Sequence, residues 1–266
     1  MKFIISDIHG CFYTLISLLA KLEEISNEAG QSPEYIFAGD YIDRGKHNKE
    51  VIDLMISLKG DGAVCLKGNH DDVVNYIVNG RCDTILSEMM RGKFSVDNVI
   101  SWWMFNGLKP TLDSYEVNCS TNFSDIHKDL VQNMPDAHKE FLNSLENMWM
   151  DDSHFACHAW MNPYEELPRH PNFLKKEQKH EIIWNRFSTG VEKGKIGLNK
   201  PVAWDKIGVF GHTPTHIYRF RSEDFSPIKQ DKIRLIDTGS FLKQSICAYR
   251  PDIDDFILEP TNPLDI

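Results

Sequence analysis

None of the six cysteines (Cys11, Cys65, Cys82, Cys119, Cys157, Cys247) falls in a Cys-x-x-Cys pair, which excludes a thiolate metal knuckle and the common dithiol redox motif. Scattered thiols of this kind read as buried, reduced residues of a cytoplasmic protein. Long apolar runs are missing too. None approaches the ~18 residues of a membrane-spanning helix, and Met1-Lys2-Phe3-Ile4-Ile5 meets Ser6-Asp7 too early for a signal-peptide core. Positive charge is scarce: 29 Lys and Arg face 39 Asp and Glu, for a formal net charge of -10. General binding to nucleic-acid backbones or to anionic membranes is therefore not expected. A locally positive site is still allowed, because bound metal ions can dominate the field around them. The chain has neither internal repeats nor low-complexity tracts. What it does have is 266 residues, 41% hydrophobic and 11% aromatic, enough for one large domain, or a domain with a sizeable insertion, around a substantial core.

The chain is organised around Gly39-Asp40-Tyr41-Ile42-Asp43-Arg44-Gly45, in which two carboxylates, a guanidinium and two glycines follow an apolar run at 35–38. A short strand is predicted at 2–5, ending in Asp7-Ile8-His9-Gly10. A helix follows, with Leu15, Leu18, Leu19, Leu22 and Ile25 on one face. Beyond the heptad come a helix over 49–58 and a strand at 63–66 that ends in Gly68-Asn69-His70-Asp71. This β-α-β-α-β order with short links predicts right-handed crossovers and parallel strands. Parallel strands put all three polar loops at one sheet edge, so Asp7, His9, Asp40, Asp43, Arg44, Asn69 and His70 should converge.

Residues from about 72 to 147 carry a helical pattern and read as an insertion beside this sheet, with Trp102-Trp103-Met104-Phe105 as core rather than groove lining. Strands are expected at 148–150 and 154–157, the second running into His158. Residues 160–181, rich in proline, read as a long loop over one face. The last quarter suggests strands at 207–210, 216–220, 233–236, 244–249 and 255–258, fitting an antiparallel second sheet. Asp237 reads as a turn cap, and the tail 259–266 as loosely held.

Six strand-end positions offer hard or borderline metal ligands without a thiolate: Asp7, His9, Asp40, Asn69, His158 and His212. Oxygen and imidazole donors suit Mn, with Fe or Zn also possible. Six are too many for one open tetrahedral ion but suit two if a carboxylate bridges, and Asp40 sits centrally for that. Two ions ~4 Å apart can clamp a phosphoryl group and hold an attacking hydroxide. The chemistry also needs phosphate donors, for which Arg44 and Arg186 are candidates along with Asn69. It needs a proton for the leaving oxygen too, for which His70 oriented by Asp43 is the candidate.

The series Asp-x-His-Gly, Gly-Asp-x-x-Asp-Arg-Gly, Gly-Asn-His-Asp, Cys157-His158-Ala159 and Gly211-His212-Thr213-Pro214 resembles the calcineurin-like metallophosphoesterases, nearest their phosphoprotein-phosphatase branch. Ile183-Trp184-Asn185-Arg186 and Ile236-Asp237-Thr238-Gly239 resemble the bacterial and phage-type members. The resemblance implies an α/β fold, a two-sheet β-sandwich flanked by helices, here a single domain over 1–266 with a helical insertion. It assigns Asp7, His9 and Asp40 to one divalent ion, and Asp40, Asn69, His158 and His212 to a second. It makes His70 the general acid paired with Asp43, and Arg44 and Arg186 the phosphate clamps. The implied substrate is a phosphorylated protein or small phosphate ester, the alternatives being a diadenosine tetraphosphate hydrolase or a non-catalytic scaffold. Ser6 stands where Gly is usual and Asp71 where Glu is usual. His216 is not placed by the motifs.

Overall fold

In this computed structural model, residues 1–80, 95–186, 191–192, 195–198 and 200–266 are described. Cys82 lies outside them. β1 (Lys2–Ile5), β2 (Glu34–Phe37) and β3 (Val64–Cys65) pair in parallel, with Phe3 opposite Tyr35 and Ile36 opposite Val64. Two helices make the crossovers: α1 (Phe12–Glu28), which buries Leu15, Leu18, Leu19 and Leu22, and α2 (Asn48–Gly60), which buries Val51, Ile52 and Met55. Each strand is apolar on both faces because both are covered. Alternate residues of β1 show it: Phe3 and Ile5 pack under the helices, whereas Ile4 faces the second sheet.

That second sheet is built from β4 (Trp149–Met150), β5 (His154–Cys157), β8 (Ile207–Phe210), β10 (Ile233–Leu235) and β9 (Ile228–Gln230), in that spatial order. β6 (Val191–Glu192) and β7 (Lys195–Ile196) form a separate two-stranded ribbon. The sheets meet over Ile4, Ile36, Ala38 and Leu66 on one side and Ala156, Val209 and Ile236 on the other, with Cys247 and Tyr249 in the same buried layer. This is the two-sheet, helix-flanked metallophosphoesterase fold.

Several expectations change. The second sheet is mixed: β5, β8 and β10 are parallel, and only the edge strands β4 and β9 run antiparallel. Strands of three or four residues bounded by turns do not encode their direction; the crossovers set it. β11 (Ser245–Arg250) and β12 (Asp255–Pro260), which cover 244–249 and 255–258, join the first sheet, with β11 antiparallel to β1. Residues 216–220 are not a strand but fall mostly in a 3-10 helix, Thr215–Arg219, started by Pro214. The segment 160–181 ends in a 3-10 turn (Pro171–Phe173) and α8 (Lys176–Trp184), which buries Ile182 and Ile183.

The tail is docked rather than loose. Asp265 is fully buried and accepts the backbone N–H of Tyr13 and Thr14 and the Thr14 hydroxyl at 3.0, 2.9 and 2.6 Å. It serves the free N–H groups at the start of α1. After β3 come α3 (Asn69–Asn79), α4 (Val96–Met104), α5 (Lys109–Ser114), α6 (Phe123–Asn133) and α7 (Asp136–Asn143). Ser95 caps α4 and Asn122 caps α6. Their apolar faces extend the core outside the first sheet through Val99, Ile100, Trp103, Leu112, Ile126, Leu130, Phe141 and Leu142.

Candidate active site

Two parallel triplets, β1-β2-β3 and β5-β8-β10, send their carboxyl ends to the same edge of the sandwich. Asp7, His9, Asp40, Asn69 and His70 leave the first triplet; His158, His212 and Asp237 leave the second. An antiparallel second sheet would have put His158 and His212 at opposite ends. The turns are tight: His9, Asp40, Asp43, Arg44 and His212 have φ of 49°, 53°, 70°, 72° and 68°. Left-handed non-glycine residues of this kind cost ~1–3 kcal/mol each and gather at functional sites. The loops also touch backbone to backbone. A side chain on Gly68 would collide with Asp40, and one on Gly211 with the Asp7 carboxylate.

Asp40 is common to two clusters of ligand-capable atoms, one with His9 and His70 and one with His158 and His212, each set lying within 4.8 Å. His9 Nε2 lies 3.4 Å from Asp40 Oδ2, and His158 Nε2 lies 3.4 Å from Asp40 Oδ1. His9 and His158 turn Nδ1 toward the carbonyls of Ile42 and Ala38, both at 2.9 Å. That second-nitrogen contact is how ligating histidines are oriented. Asn69 Oδ1 sits 2.9 Å from His212 Nδ1 and 3.1 Å from His158 Nε2. Asp7 stands against the second sheet, accepting the His212 backbone N–H at 2.9 Å, with His158 Nδ1 at 3.8 Å.

Electrostatics bear on whether these residues fit cations. Asp7, Asp40, Asp71 and Asp237 are each at most 1% exposed. Burial and then Asp237 push Asp7 well above the usual carboxylate range. Burial and then Asp40 raise Asp71 to about 7, while burial carries Asp237 to about 6. Burial also works on Asp40, but His158 and His70 hold its carboxyl low. His158, despite burial, is kept at about 9 by Asp40 and Asp7, whereas burial with Arg44 lowers His9 and burial with His158 lowers His212. Among the described residues, His212 Nε2 and Asp237 Oδ2 are buried with no hydrogen-bond partner. Packed carboxylates, aligned imidazoles and unpaired buried atoms are an arrangement that added positive charge relieves. The donor set therefore fits divalent cations.

His70, itself one of the first cluster, also turns Nδ1 to within 2.7 Å of Asp43 Oδ2. Arg44 reaches His70 Nε2 and His9 Nε2 at 2.9 and 3.1 Å, its guanidinium stacked 4.0 Å over Phe241. Arg186 is exposed and donates to Thr213 Oγ1 at 3.3 Å, next to His212. It borders a cavity of about 230 Å³ walled by Trp160, Tyr164, Glu181 and Asn185. His216 stacks on Phe225 and stands outside both clusters.

Sequence reasoning did not find what several residues do in the site. Asp71 accepts the N–H groups of Asp40, Tyr41 and Gly68 at 2.7, 3.0 and 2.9 Å, tying two loops together. An acid three residues after Gly68 at a helix start was the available signal. Asp237 does cap Gly239 N–H with Oδ1, as expected, yet its other oxygen is buried without a hydrogen-bond partner among the described residues. Trp103 and Thr111 both bind Asp43, which nothing in the local sequence indicates. The 102–105 run is only partly core: Trp103 is buried, but Trp102 is 42% and Phe105 91% exposed.

Residues 3–227 match the calcineurin-like phosphoesterase family. The chain belongs to that family. Within this phosphoesterase, 73 residues are 38% identical to a catalytic subunit of protein phosphatase 2A from Dictyostelium discoideum, covering 26% of this chain and 21% of that protein. Another match, 83 residues at 40% identity, is to an asymmetrical bis(5'-nucleosyl)-tetraphosphatase of Anoxybacillus flavithermus, covering 29% of this chain and 34% of that one. The chain thus spans about a fifth and about a third of these relatives' lengths. A solved structure described as a candidate diadenosine tetraphosphatase superposes with a TM-score of 0.57 at 17% identity, over 98% of this chain and 94% of that one, and shares the fold. Among the described residues no helix is long and apolar enough to cross a membrane.

Proposed function

We propose that the phosphoesterase is a metal-dependent phosphomonoesterase acting on phosphoserine or phosphothreonine in proteins, with residues 1–266 working as one domain and the helices after β3 as an insertion. The observation that carries this is the position of Asp40, common to both donor clusters, with His70 of the first cluster paired to Asp43. Asp7, His9 and Asp40 would hold one divalent ion, and Asp40, Asn69, His158 and His212 a second, with Mn2+ favoured by the oxygen and imidazole donors. Such ions supply Lewis acidity at the phosphoryl oxygens and an activated water as nucleophile.

The chain's own residues do the rest. Arg44, Arg186 and Asn69 bind the phosphate oxygens, the two guanidiniums as planar donors. With Nδ1 engaged by Asp43, His70 presents Nε2 to the substrate side, where Arg44 now meets it. When Arg44 turns to phosphate, that nitrogen is released and can carry the proton given to the leaving oxygen. The buried free thiols Cys11, Cys65, Cys157 and Cys247 suit a cytoplasmic setting.

The aromatic cavity beside Arg186 favours a second reading, hydrolysis of a dinucleoside polyphosphate, since Trp160 and Tyr164 offer rings near a phosphate donor. Parallel assays of one preparation on a phosphoserine peptide and on diadenosine tetraphosphate, with Mn2+ and with chelator, test both. Faster metal-dependent release of phosphate from the peptide supports the first reading. Preference for the dinucleotide replaces it with the second, and turnover in chelator discards both.

A further inference from the structure

Asp43 is held by far more of the molecule than a partner for His70 requires. Its Oδ2 accepts the Trp103 indole N–H at 2.6 Å as well as lying 2.7 Å from His70 Nδ1. Its Oδ1 accepts the Thr111 hydroxyl at 2.5 Å, and that same hydroxyl oxygen accepts the Asp43 backbone N–H at 3.1 Å. Both carboxylate oxygens and the main chain are thus fixed by α4 and α5, whose residues lie 60 and 68 positions away in sequence. The neighbouring residue is held from the same place. Arg44 N–H donates to Gly107 O at 2.9 Å, and Arg44 Nε to Asn106 O at 3.4 Å. These bonds sit on two consecutive left-handed residues, φ 70° and 72°, a strained pair that lasts only if its surroundings hold it.

A buried indole usually finds some acceptor. Here the acceptor is the one oxygen that also meets His70, and the Trp103 ring packs edge-on against the His70 ring at 4.7 Å. Trp103 and Thr111 are 1% and 0% exposed, so neither bond competes with water. Trp103 also packs on Trp184 at 5.9 Å, two residues before Arg186.

We propose that Trp103 and Thr111 are positioning residues for the proton donor: by locking both oxygens of Asp43 they fix the His70 ring, and so the direction of its Nε2 toward the leaving oxygen. This rests on His70 acting as the acid, as proposed above. The helices that follow β3 thereby complete the acid rather than merely flank it.

Trp103→Phe keeps an aromatic side chain, smaller than the indole, and removes the N–H; Thr111→Val keeps the shape and removes the hydroxyl. Each is expected to lower kcat on a phosphoserine peptide about 10–100-fold, the usual loss for a group orienting a catalytic side chain. The loss on p-nitrophenyl phosphate, whose leaving group barely needs a proton, should be about tenfold smaller, with KM and bound metal unchanged. In an Asp43→Asn background Trp103→Phe should add nothing, because the route runs through Asp43. Independently of turnover, the Trp103 indole N–H should resonate downfield in the NMR spectrum and move upfield in Asp43→Asn. Equal losses on the two esters, full additivity with Asp43→Asn, or an unmoved indole resonance would each overturn the proposal while the wild type still turns over. A metal-loaded wild type that cleaves neither ester instead removes the phosphatase reading, and the positioning role with it.

Discussion

Asp40 Oδ1 accepts the backbone N–H of His70 at 2.9 Å, so the carboxylate common to both donor clusters also anchors the first turn of α3. Asn69 and His70 are that turn. Their side chains point into the site because the helix begins against Asp40, and Asp71 secures the same junction from the other side. The proposed ligand Asn69 and the proposed acid His70 are therefore placed by one junction.

Asp40→Asn keeps the shape and an acceptor for His70 N–H but removes the charge that both clusters use. Bound metal, measured by elemental analysis after dialysis against a low metal concentration, should fall from two ions per chain to fewer than one. Two ions held at wild-type affinity would mean that Asp40 does not bridge.

Arg186→Ala removes a guanidinium that is exposed and bonded only weakly to Thr213, at 3.3 Å. Fold stability and metal content should therefore barely change. Inhibition by phosphate or vanadate should weaken about tenfold or more, the scale of one charge-assisted contact. Unaltered inhibition with unaltered turnover would leave Arg186 as a surface residue.

Strand order alone brings half of this site together, for a definite reason; His158 and His212 are legible as strand-end donors and through the motif resemblance. The alternation of strand and helix from Lys2 to Leu66 carries direction, because short crossovers force parallel strands, and so His9, Asp40 and Asn69 could be brought together on paper. No such constraint governs the later strands. His158 and His212 are adjacent because β5 and β8 are parallel, and their connection runs through α8 and a stretch with little periodicity. Trp103 reaches Asp43 from 60 residues away, a contact set by helix packing that local pattern does not encode. The tail misled for the opposite reason: its polar, proline-containing residues look unanchored, yet Asp265 is buried against Thr14, 251 residues upstream.

That anchor makes a prediction of its own. Asp265→Ala leaves three donors at the start of α1 unpaired in a buried place. Urea denaturation should show a loss of about 2 kcal/mol, within the range for a lost helix cap or charged hydrogen bond. Asp265→Asn, which keeps one acceptor, should lose less. No change in either variant would mean that water replaces the tail.

Lys2 in β1 and Asp151, just after β4, pair at 2.6 Å and link the two sheets at the end away from the site. Burial works to raise the Asp151 carboxyl, but hydrogen bonds from Lys2 and from the N–H groups of Ser153 and His154 hold it at about 2. Its folded pKa is thus below the unfolded value of ~3.9, and the stability it contributes is present above about pH 4 and lost as pH falls through about 2. The melting-temperature gap between wild type and Asp151→Asn should be constant from about pH 7 to 5 and close below about pH 4. A gap that widens in acid has the wrong sign for this pair.

His70→Asn tests the mechanism itself. A phosphoserine leaves as an alkoxide, strongly basic and costly to expel without a proton, whereas p-nitrophenyl phosphate leaves as a stabilised phenolate. General acid assistance is typically worth ~10²–10⁴-fold, so the phosphopeptide should lose nearly that much and the aryl ester far less. Asp43→Asn should show the same asymmetry more weakly, because Asp43 orients the ring at 2.7 Å without giving up the proton. Metal content has to be checked in both variants, since His70 also lies within 4.8 Å of the ligand atoms of His9 and Asp40. If both esters lose equally with metals intact, His70 serves the phosphate or the nucleophile rather than the leaving group. The contact between Arg44 and His70 Nε2 at 2.9 Å would then be its working geometry, not one that substrate displaces.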